Sequence, residues 1–533
     1  MSETLIITNL GGPLTRRNTG DINSGLTKFE TSWGYDPYSK PGSLTWLPQP
    51  TSIQTLTGSP VGPIVAMKER VSGSAVEVYA VSEGDRLYFV DVNSATNPDL
   101  DVVDTAAASP SIIGMTYDFG GRLTFYGSTE KIFISSDTQI QVVNFSGASP
   151  SIIGTFATAY PRPMTQFLGR IYFGNANNLG EIDSTEVITT VAKLSPALPS
   201  GLVIRDLDVT PDGNYLQMTV SRAYTSYPSG TAAEVAAAAA ADSYKFYWNG
   251  IDGSYSVQEN YPGLVLSANE VQPDQNYSFG YSVDGAGIWQ GSKKIASLPR
   301  AITPAPTATF SVGNILGFAT TEQDTTDSRF RAAVYTYGKY DEETVNGLFR
   351  LLRQDTTTSG NEILVVPACV SVSNKVYTPS IRSATNQTVG SGKIYFSTYE
   401  DNAGATSIIS KLWRFHLTPQ GTQSVLAGVY ETQTQLFSKK TTIKEVRLYT
   451  EPLVGGNDFT IDLIGSGRSV MAGGSQRFRV ATGSVATGTD MVQFNPAMAP
   501  TYALGLRITN ASVTGVANWT GLKAEIDFAE GGR

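Results

Sequence analysis

The 533-residue chain holds one cysteine, Cys369, and one histidine, His416. An internal disulfide framework and a Cys/His metal site are thereby excluded, and a Ser-His-Asp triad would have to take its base from His416. Cys369 lies in the apolar run 363–372 and reads as a small core residue. With a lone cysteine, the redox compartment stays undecided. His416 belongs to Lys-Leu-Trp-Arg-Phe-His-Leu at 411–417. Strand alternation sets Leu412, Arg414 and His416 on one face, expected to meet solvent or a partner, and Trp413, Phe415 and Leu417 on the other.

Charge is also scarce, at 16% of residues, and its balance is acidic, with a formal net charge of −9 and a pI of about 4.9. That composition disfavours a basic groove following a phosphate backbone, so nucleic acid is not an expected partner. No run approaches the roughly 18 apolar residues of a membrane helix, and the first nine residues lack the basic start and long apolar stretch of a signal peptide. Membrane insertion is not expected. Phosphate-cradling and dinucleotide-binding glycine patterns are missing, and no Gly-x-Ser-x-Gly elbow precedes a helix. Asp99, Asp101 and Asp104, and Asp21 with Asn23 and Gly25, are short-range oxygen clusters, but neither completes a calcium loop and both read as solvated turns. No cofactor, metal site or catalytic residue is assigned.

What the chain does have is glycine, 52 residues, with 26 tyrosines and 22 phenylalanines. Short β-branched and aromatic runs alternate with Gly, Pro, Asn and Asp punctuation throughout, the pattern of many strands joined by tight turns. Ala-Ser-Pro-Ser-Ile-Ile-Gly occurs twice, at 108–114 and 148–154, an offset of 40 residues. Each copy is expected to open a unit of about four strands, after the first at 115–119, 122–127, 131–135 and 139–145. Four antiparallel strands per 40-odd residues predict the blade of a β-propeller. Ser-Val-Asp-Gly-Ala-Gly-Ile-Trp at 282–289 approaches the Asp-box of sialidase-like propellers, with Ala286 where the box has glycine. It reads as a structural turn.

The predicted fold is therefore all-β, a propeller of about seven blades with an extended N-terminal arm and a C-terminal antiparallel β-sandwich. Residues 1–55 form the arm, with Trp33, Tyr35, Tyr38 and Trp46 as its candidate interface anchors. Residues 56–438 form the propeller, interrupted by an Ala-rich helix at 231–241. Residues 439–533, with 10 Lys+Arg against 8 Asp+Glu, form the sandwich, and Trp519 is its expected core aromatic.

The segments Leu-Gly-Gly-Pro-Leu-Thr-Arg at 10–16 and Tyr-Asp-Pro-Tyr-Ser-Lys-Pro-Gly-Ser-Leu at 35–44, with the strand repeats after them, resemble virion proteins of tailed bacteriophages. In those proteins a Gly-Gly-containing arm precedes a propeller-like body in the tail. The resemblance implies a structural, non-enzymatic virion component located in the tail and assembled in the host cytoplasm. It would act through interfaces with other tail or virion proteins and as a symmetric homo-oligomer. The alternative is a carbohydrate-binding or sialidase-like glycan-cleaving propeller that contacts a host-surface glycan. A cellular scaffold propeller is disfavoured by the missing Trp-Asp and kelch signatures.

Overall fold

The computed structural model describes the strands and helix named below, together with residues 10, 34, 37, 43, 47, 138, 156–158, 160, 162–163, 168–169, 176–177, 183–187, 194, 198–201, 210, 212–215, 223, 240–241, 249–255, 263, 291–292, 298, 451–452, 490, 495–496 and 500. Among the described residues the chain is all-β, with one short helix. β1 (Ser2–Ile7), β2 (Phe29–Trp33), β3 (Tyr35–Asp36) and β4 (Leu44–Trp46) join an eleven-stranded sheet, while β5 (Thr51–Leu56) joins a sheet formed far along the chain.

A series of four-stranded meanders follows. Sheet 1 is β6 (Ile64–Ser72), β7 (Ala75–Ser82), β8 (Arg86–Asp91) and β9 (Leu100–Asp104). Sheet 2 is β10 (Ile112–Asp118), β11 (Lys131–Ser136), β12 (Gln139–Asn144) and β13 (Ser151–Thr155). Sheet 3 is β14 (Met164–Phe167), β15 (Arg170–Asn175), β16 (Asn178–Ile182) and β17 (Ile188–Thr189). In sheet 4, β18 (Leu202–Val209) and β19 (Leu216–Arg222) are separated by α1 (Ala232–Ala239) from β20 (Asp242–Trp248) and β21 (Ser256–Pro262). Sheet 5 is β22 (Leu264–Gln272), β23 (Gln275–Ser282), β24 (Gly285–Gln290) and β25 (Lys293–Ser297). Sheet 6 is β26 (Ala308–Val312), β27 (Ile315–Gln323), β28 (Phe330–Lys339) and β29 (Asn346–Arg353). Sheet 7 is β30 (Ala384–Asn386), β31 (Lys393–Glu400) and β32 (Ile409–His416), with β5 as its fourth strand.

The last strands, β33 (Gly428–Thr432), β34 (Gln435–Thr450), β35 (Asn457–Ser466), β36 (Gln476–Val485), β37 (Met491–Phe494), β38 (Thr501–Asn510) and β39 (Thr520–Glu530), complete the eleven-stranded sheet. Its main path runs β2-β33-β38-β34-β39-β4-β3. The two ends, β2 and β3, are separated in sequence by Gly34 alone, so the sheet curls nearly closed, like a barrel. The strands expected within 439–533 are present, but five of the eleven come from earlier in the chain. β1 pairs antiparallel along β39, from Ser2 opposite Ala529 to Ile7 opposite Ala524. β1 to β4 of the N-terminal segment are thus integral strands of this sheet, not an extended arm, while β5 belongs to a different sheet. The residues of Trp519 and Cys369 lie outside the described residues.

Two compact units result: residues 1–51, 333–366 and 415–533 in one, and 52–332 with 367–414 in the other. Within the second unit the first strands of the seven meanders neighbour one another in a cycle. β6 lies beside β10, β10 beside β14, β14 beside β18, β18 beside β22, β22 beside β26, β26 beside β30, and β30 beside β6. Both faces of sheet 3 are covered, as alternation along β15 requires. Ile171, Phe173 and Ile182 pack with Phe133, Ile140 and Val142 of sheet 2, while Phe167, Tyr172 and Leu179 pack with Ile204, Met218, Phe246 and Trp248 of sheet 4. α1 lies beside β22, and Ala238 and Ala239 are buried.

The duplicated heptapeptide does not open two units. Its first copy ends in β10 and its second in β13, the opening and closing strands of the same sheet. What the copies share is a β-bulge. The register skips Ile113 between Ile112 and Gly114, and skips Ile153 between Ile152 and Gly154. Equivalent skips occur in the opening strands β6, β18 and β22 and in the closing strands β21, β25 and β29. Bulges bend a strand and increase its twist at a sheet edge, where unpaired ladder groups invite aggregation. The strand expected at 122–127 lies outside the described residues.

Candidate functional site

Sheets 3 and 4 meet at a cleft of about 390 Å³ built by three hairpins. β15 is Arg-Ile-Tyr-Phe-Gly-Asn, and its two-residue period turns Arg170 and Tyr172 to the face opposite the apolar Ile171 and Phe173. Glu181 of β16 stands directly across from Tyr172. The result is an ion pair, Arg170 Nη1 to Glu181 Oε1 at 2.6 Å, in which the carboxylate side chain is only 4% exposed and the guanidinium 43%. Burial, then the neighbouring Glu181 charge, push the Tyr172 phenol up to about 12, against the opposing Arg170 charge. Tyr172 is thereby a neutral hydroxyl at ordinary pH.

Trp248 of β20 forms the facing wall, edge-on to Tyr172 with ring centroids 5.3 Å apart. Its indole N–H donates to the Asp252 carbonyl at 2.5 Å. The β20–β21 turn is folded on Asn249, whose Oδ1 accepts from the backbone N–H of Ile251 and Asp252, both at 3.0 Å, while its Nδ2 donates to Asp252 Oδ2 at 2.6 Å. This network lifts Ile251 to 84% exposure at the tip. Opposite it, Leu168 and Gly169 make a two-residue hairpin turn with φ of +47° and +77°. Both positive values mark a type I′ turn, where asparagine or glycine is the ordinary first residue. Leu168 occupies that place and is 58% exposed.

The barrel-like unit carries a second cleft, of about 580 Å³, lined by Tyr449, Thr450, Asp490, Met491, Leu522 and Lys523. Lys523 sits 4.3 Å from the Tyr449 ring centroid and its ammonium donates to Glu525 at 3.0 Å. Arg447 bridges Glu445, Glu525 and Asp527. The Lys523 and Tyr449 hydrogen bonds hold the Glu525 carboxyl below its ordinary range. This is a network of paired surface charges.

The sequence-derived anchors separate. Tyr35 and Trp46 are 0% and 1% exposed, and Tyr35 stacks edge-on with Tyr430 at 5.4 Å and Phe349 at 6.3 Å. Both rings are interior parts of the barrel-like unit, and neither is on the surface of the chain. Trp33 stands in β2, and Tyr38 lies outside the described residues. The large apolar side chains that do reach the surface in that unit are, among the described residues, Ile6, Leu436, Met491 and Leu522.

Leu412 and Trp413 are both buried, at 0% and 6%, so the face bearing Leu412 does not meet solvent there. A strand inside a four-stranded sheet covered on both faces escapes the apolar-in, polar-out rule. The Asp-box-like stretch is the β23–β24 hairpin, with Ser282 opposite Gly285, and Trp289 packs on Tyr261 of the preceding sheet. Asp284 lies outside the described residues, as do Asp21, Asn23, Gly25 and Asp99. No cluster of three or more His, Cys, Asp or Glu side chains able to hold a metal ion occurs among the described residues, and no described helix is long and apolar enough to cross a membrane. Neither cleft contains a residue named from sequence, because each draws side chains from strands whose pairing only the fold supplies. No protein-family profile matches the chain, and no curated protein matches it.

Proposed function

We propose that the chain is a structural component of a tailed-bacteriophage virion, a seven-bladed β-propeller joined to a barrel-like β-unit, acting through protein–protein interfaces. The observation that carries this reading is the cycle of opening strands from β6 round to β30 and back to β6, with β5 supplying the outer strand of sheet 7. Radial closure leaves only short edges, and the bulges on opening and closing strands blunt those. Such a body is rigid and keeps its own edges from pairing with neighbouring copies, which suits an assembly of many proteins at high local concentration. The sequence resemblance at 10–16 and 35–44 supplies the kind of particle. Contacts to other virion proteins, or to symmetric copies, would use exposed apolar side chains such as Ile6, Leu436, Met491 and Leu522, since Tyr35 and Trp46 are spent inside.

The test is electron cryo-microscopy of purified particles from a phage encoding the chain, with antibody labelling of the protein. A ring-shaped density with seven lobes at a fixed position in the tail is expected. Absence of the protein from particles would refute the virion reading, and a lobe count other than seven would refute the propeller.

A further inference from the structure

In the unit of residues 52–332 and 367–414, the large apolar side chains that reach the surface are, among the described residues, Ile152, Leu168, Val187, Tyr215 and Ile251, each between 43% and 84% exposed. All five gather at one end of three adjacent sheets. Leu168 and Val187 stand in the first and third connections of sheet 3, Tyr215 and Ile251 in the first and third of sheet 4, and Ile152 just follows the third of sheet 2. In an antiparallel meander the first and third connections share an end, since strand direction alternates. Contacts between sheets line those ends up. Lys131, at the start of β11, pairs with Glu186 in the third connection of sheet 3, and Gly250 in the third connection of sheet 4 stands against Leu168. We propose that this end of sheets 2 to 4 docks a protein partner whose own apolar patch is ringed by lysine and arginine. The assignment rests on these turns alone and stands whether or not the chain is a virion component.

Charge decides the partner. At this end of sheets 2 to 4 the cations Lys131 and Arg170 are each bound to a glutamate, Glu186 and Glu181. Asp183, Asp212 and Asp252 are paired with no cation among the described residues, so they carry a surplus of negative charge. Each is built into the turn that holds an apolar tip. Asp183 Oδ1 accepts from the Val187 N–H at 3.0 Å, Asp212 Oδ1 from the Asn214 N–H at 3.1 Å, and Asp252 Oδ2 from Asn249 Nδ2 at 2.6 Å. The Thr185 and Thr210 hydroxyls hold the Asp183 and Asp212 carboxyls below their ordinary range, which keeps both charged at neutral pH. Apolar side chain and carboxylate are thereby fixed side by side, and little ordering remains to be lost on docking.

That juxtaposition disfavours the other occupants. A bilayer that received Ile251 would also take in the charged Asp252 beside it, at a high desolvation cost, and an anionic bilayer would be repelled by all three carboxylates. A second copy docked on the same face would set Asp183, Asp212 and Asp252 against their own like charges. A basic, apolar protein surface meets both demands at once. Lysine and arginine heads make charge-assisted hydrogen bonds to the carboxylates, while their aliphatic stems and the apolar patch between them cover the exposed tips.

The experiment is selection of a displayed random-peptide library on the full chain, followed by calorimetry with the enriched peptides. Those peptides are expected to combine Lys or Arg with large apolar residues. The triple variant Val187→Ser, Tyr215→Ser, Ile251→Ser should weaken their binding about tenfold or more. The double variant Asp212→Asn, Asp252→Asn keeps the acceptors that fold the turns, and it should weaken binding about fivefold and remove much of the salt dependence. Ile6→Ser with Leu436→Ser, on the other unit, should leave affinity unchanged, and every variant should keep the parent melting midpoint. No enrichment, enrichment of acidic or uncharged peptides, or binding indifferent to both the serine and the asparagine variants would overturn the assignment. So would co-sedimentation with phosphatidylcholine or phosphatidylglycerol vesicles, or a dimer of the chain that the triple variant dissolves, since either gives this surface a different occupant.

Discussion

Gly250 shows how closely the two hairpins at the cleft are fitted. Its φ is +80°, and a Cβ placed on it would stand 2.5 Å from Leu168 Cδ1 and 2.9 Å from Phe167 Cε1. Gly250→Ala is therefore expected to destabilise by about 1–2 kcal/mol, adding left-handed strain to displacement of Leu168. Chemical denaturation would report it as a lower midpoint at unchanged slope. Tyr172 makes the other residue-scale case. Its phenol is raised from 10.0 to about 12, so between those values the folded chain keeps a proton that the unfolded chain releases. The stabilisation is complete below pH 10 and is lost as pH rises towards 12. Glu181→Gln removes the second cause of the shift, and tyrosinate absorbance should then titrate Tyr172 nearer its ordinary value.

Arg162, between β13 and β14, shows what holds adjacent elements together. The side chain is fully buried, donating to Asn175 Oδ1 at 2.6 Å and to the Thr158 carbonyl at 2.8 Å, with its guanidinium carbon 3.6 Å from the Phe156 ring centroid. Its own carbonyl accepts from Ser135 Oγ at 2.6 Å, so one residue ties sheet 2 to sheet 3. Arg162→Ala should cost about 2–4 kcal/mol, by leaving buried acceptors without a donor and opening a cavity. Arg162→Lys should recover only part, because an ammonium lacks the planar fork; thermal melts of the two variants would rank them. This scale also marks what the sequence could reveal. Short strands and their turns were legible, from the β23–β24 hairpin to the helix at α1, because alternation and turn chemistry are local. The heptapeptide was legible as a repeat but misleading as a boundary: it encodes a bulge at Ile113 and Ile153, and a bulge belongs equally to the first and last strand of one sheet. Arg170 and Tyr172 share one face of β15, whereas Trp248, some 75 positions on, joins them only through sheet packing, which no local pattern encodes.

At the scale of the whole molecule, the described N-terminal strands serve both units. β1 to β4 complete the barrel-like sheet, and β5 is the outer strand of sheet 7, whose other three strands arrive more than 300 residues later. An arm-propeller-sandwich order along the chain therefore gives way to two units, each assembled from separated stretches. Pairing across such separations pays its loop-closure entropy late in folding and contributes stability only once the partner strands exist. Replacing residues 51–56 by a Gly/Ser linker removes that outer strand while leaving β1 to β4 intact. The unit of residues 52–332 and 367–414 should then melt earlier, with the transition of the barrel-like unit unmoved, so calorimetry would resolve two events where the parent chain has them closer together. Deleting residues 2–7 should do the reverse, since β1 pairs with β39 alone. A synthetic peptide spanning 51–56 and its flanks, added in trans, should restore part of the lost midpoint if the missing ladder is the cause. Equal shifts of both transitions in either variant would mean that β5 does not close a cooperative ring, and the cyclic order of opening strands would then carry no mechanical consequence.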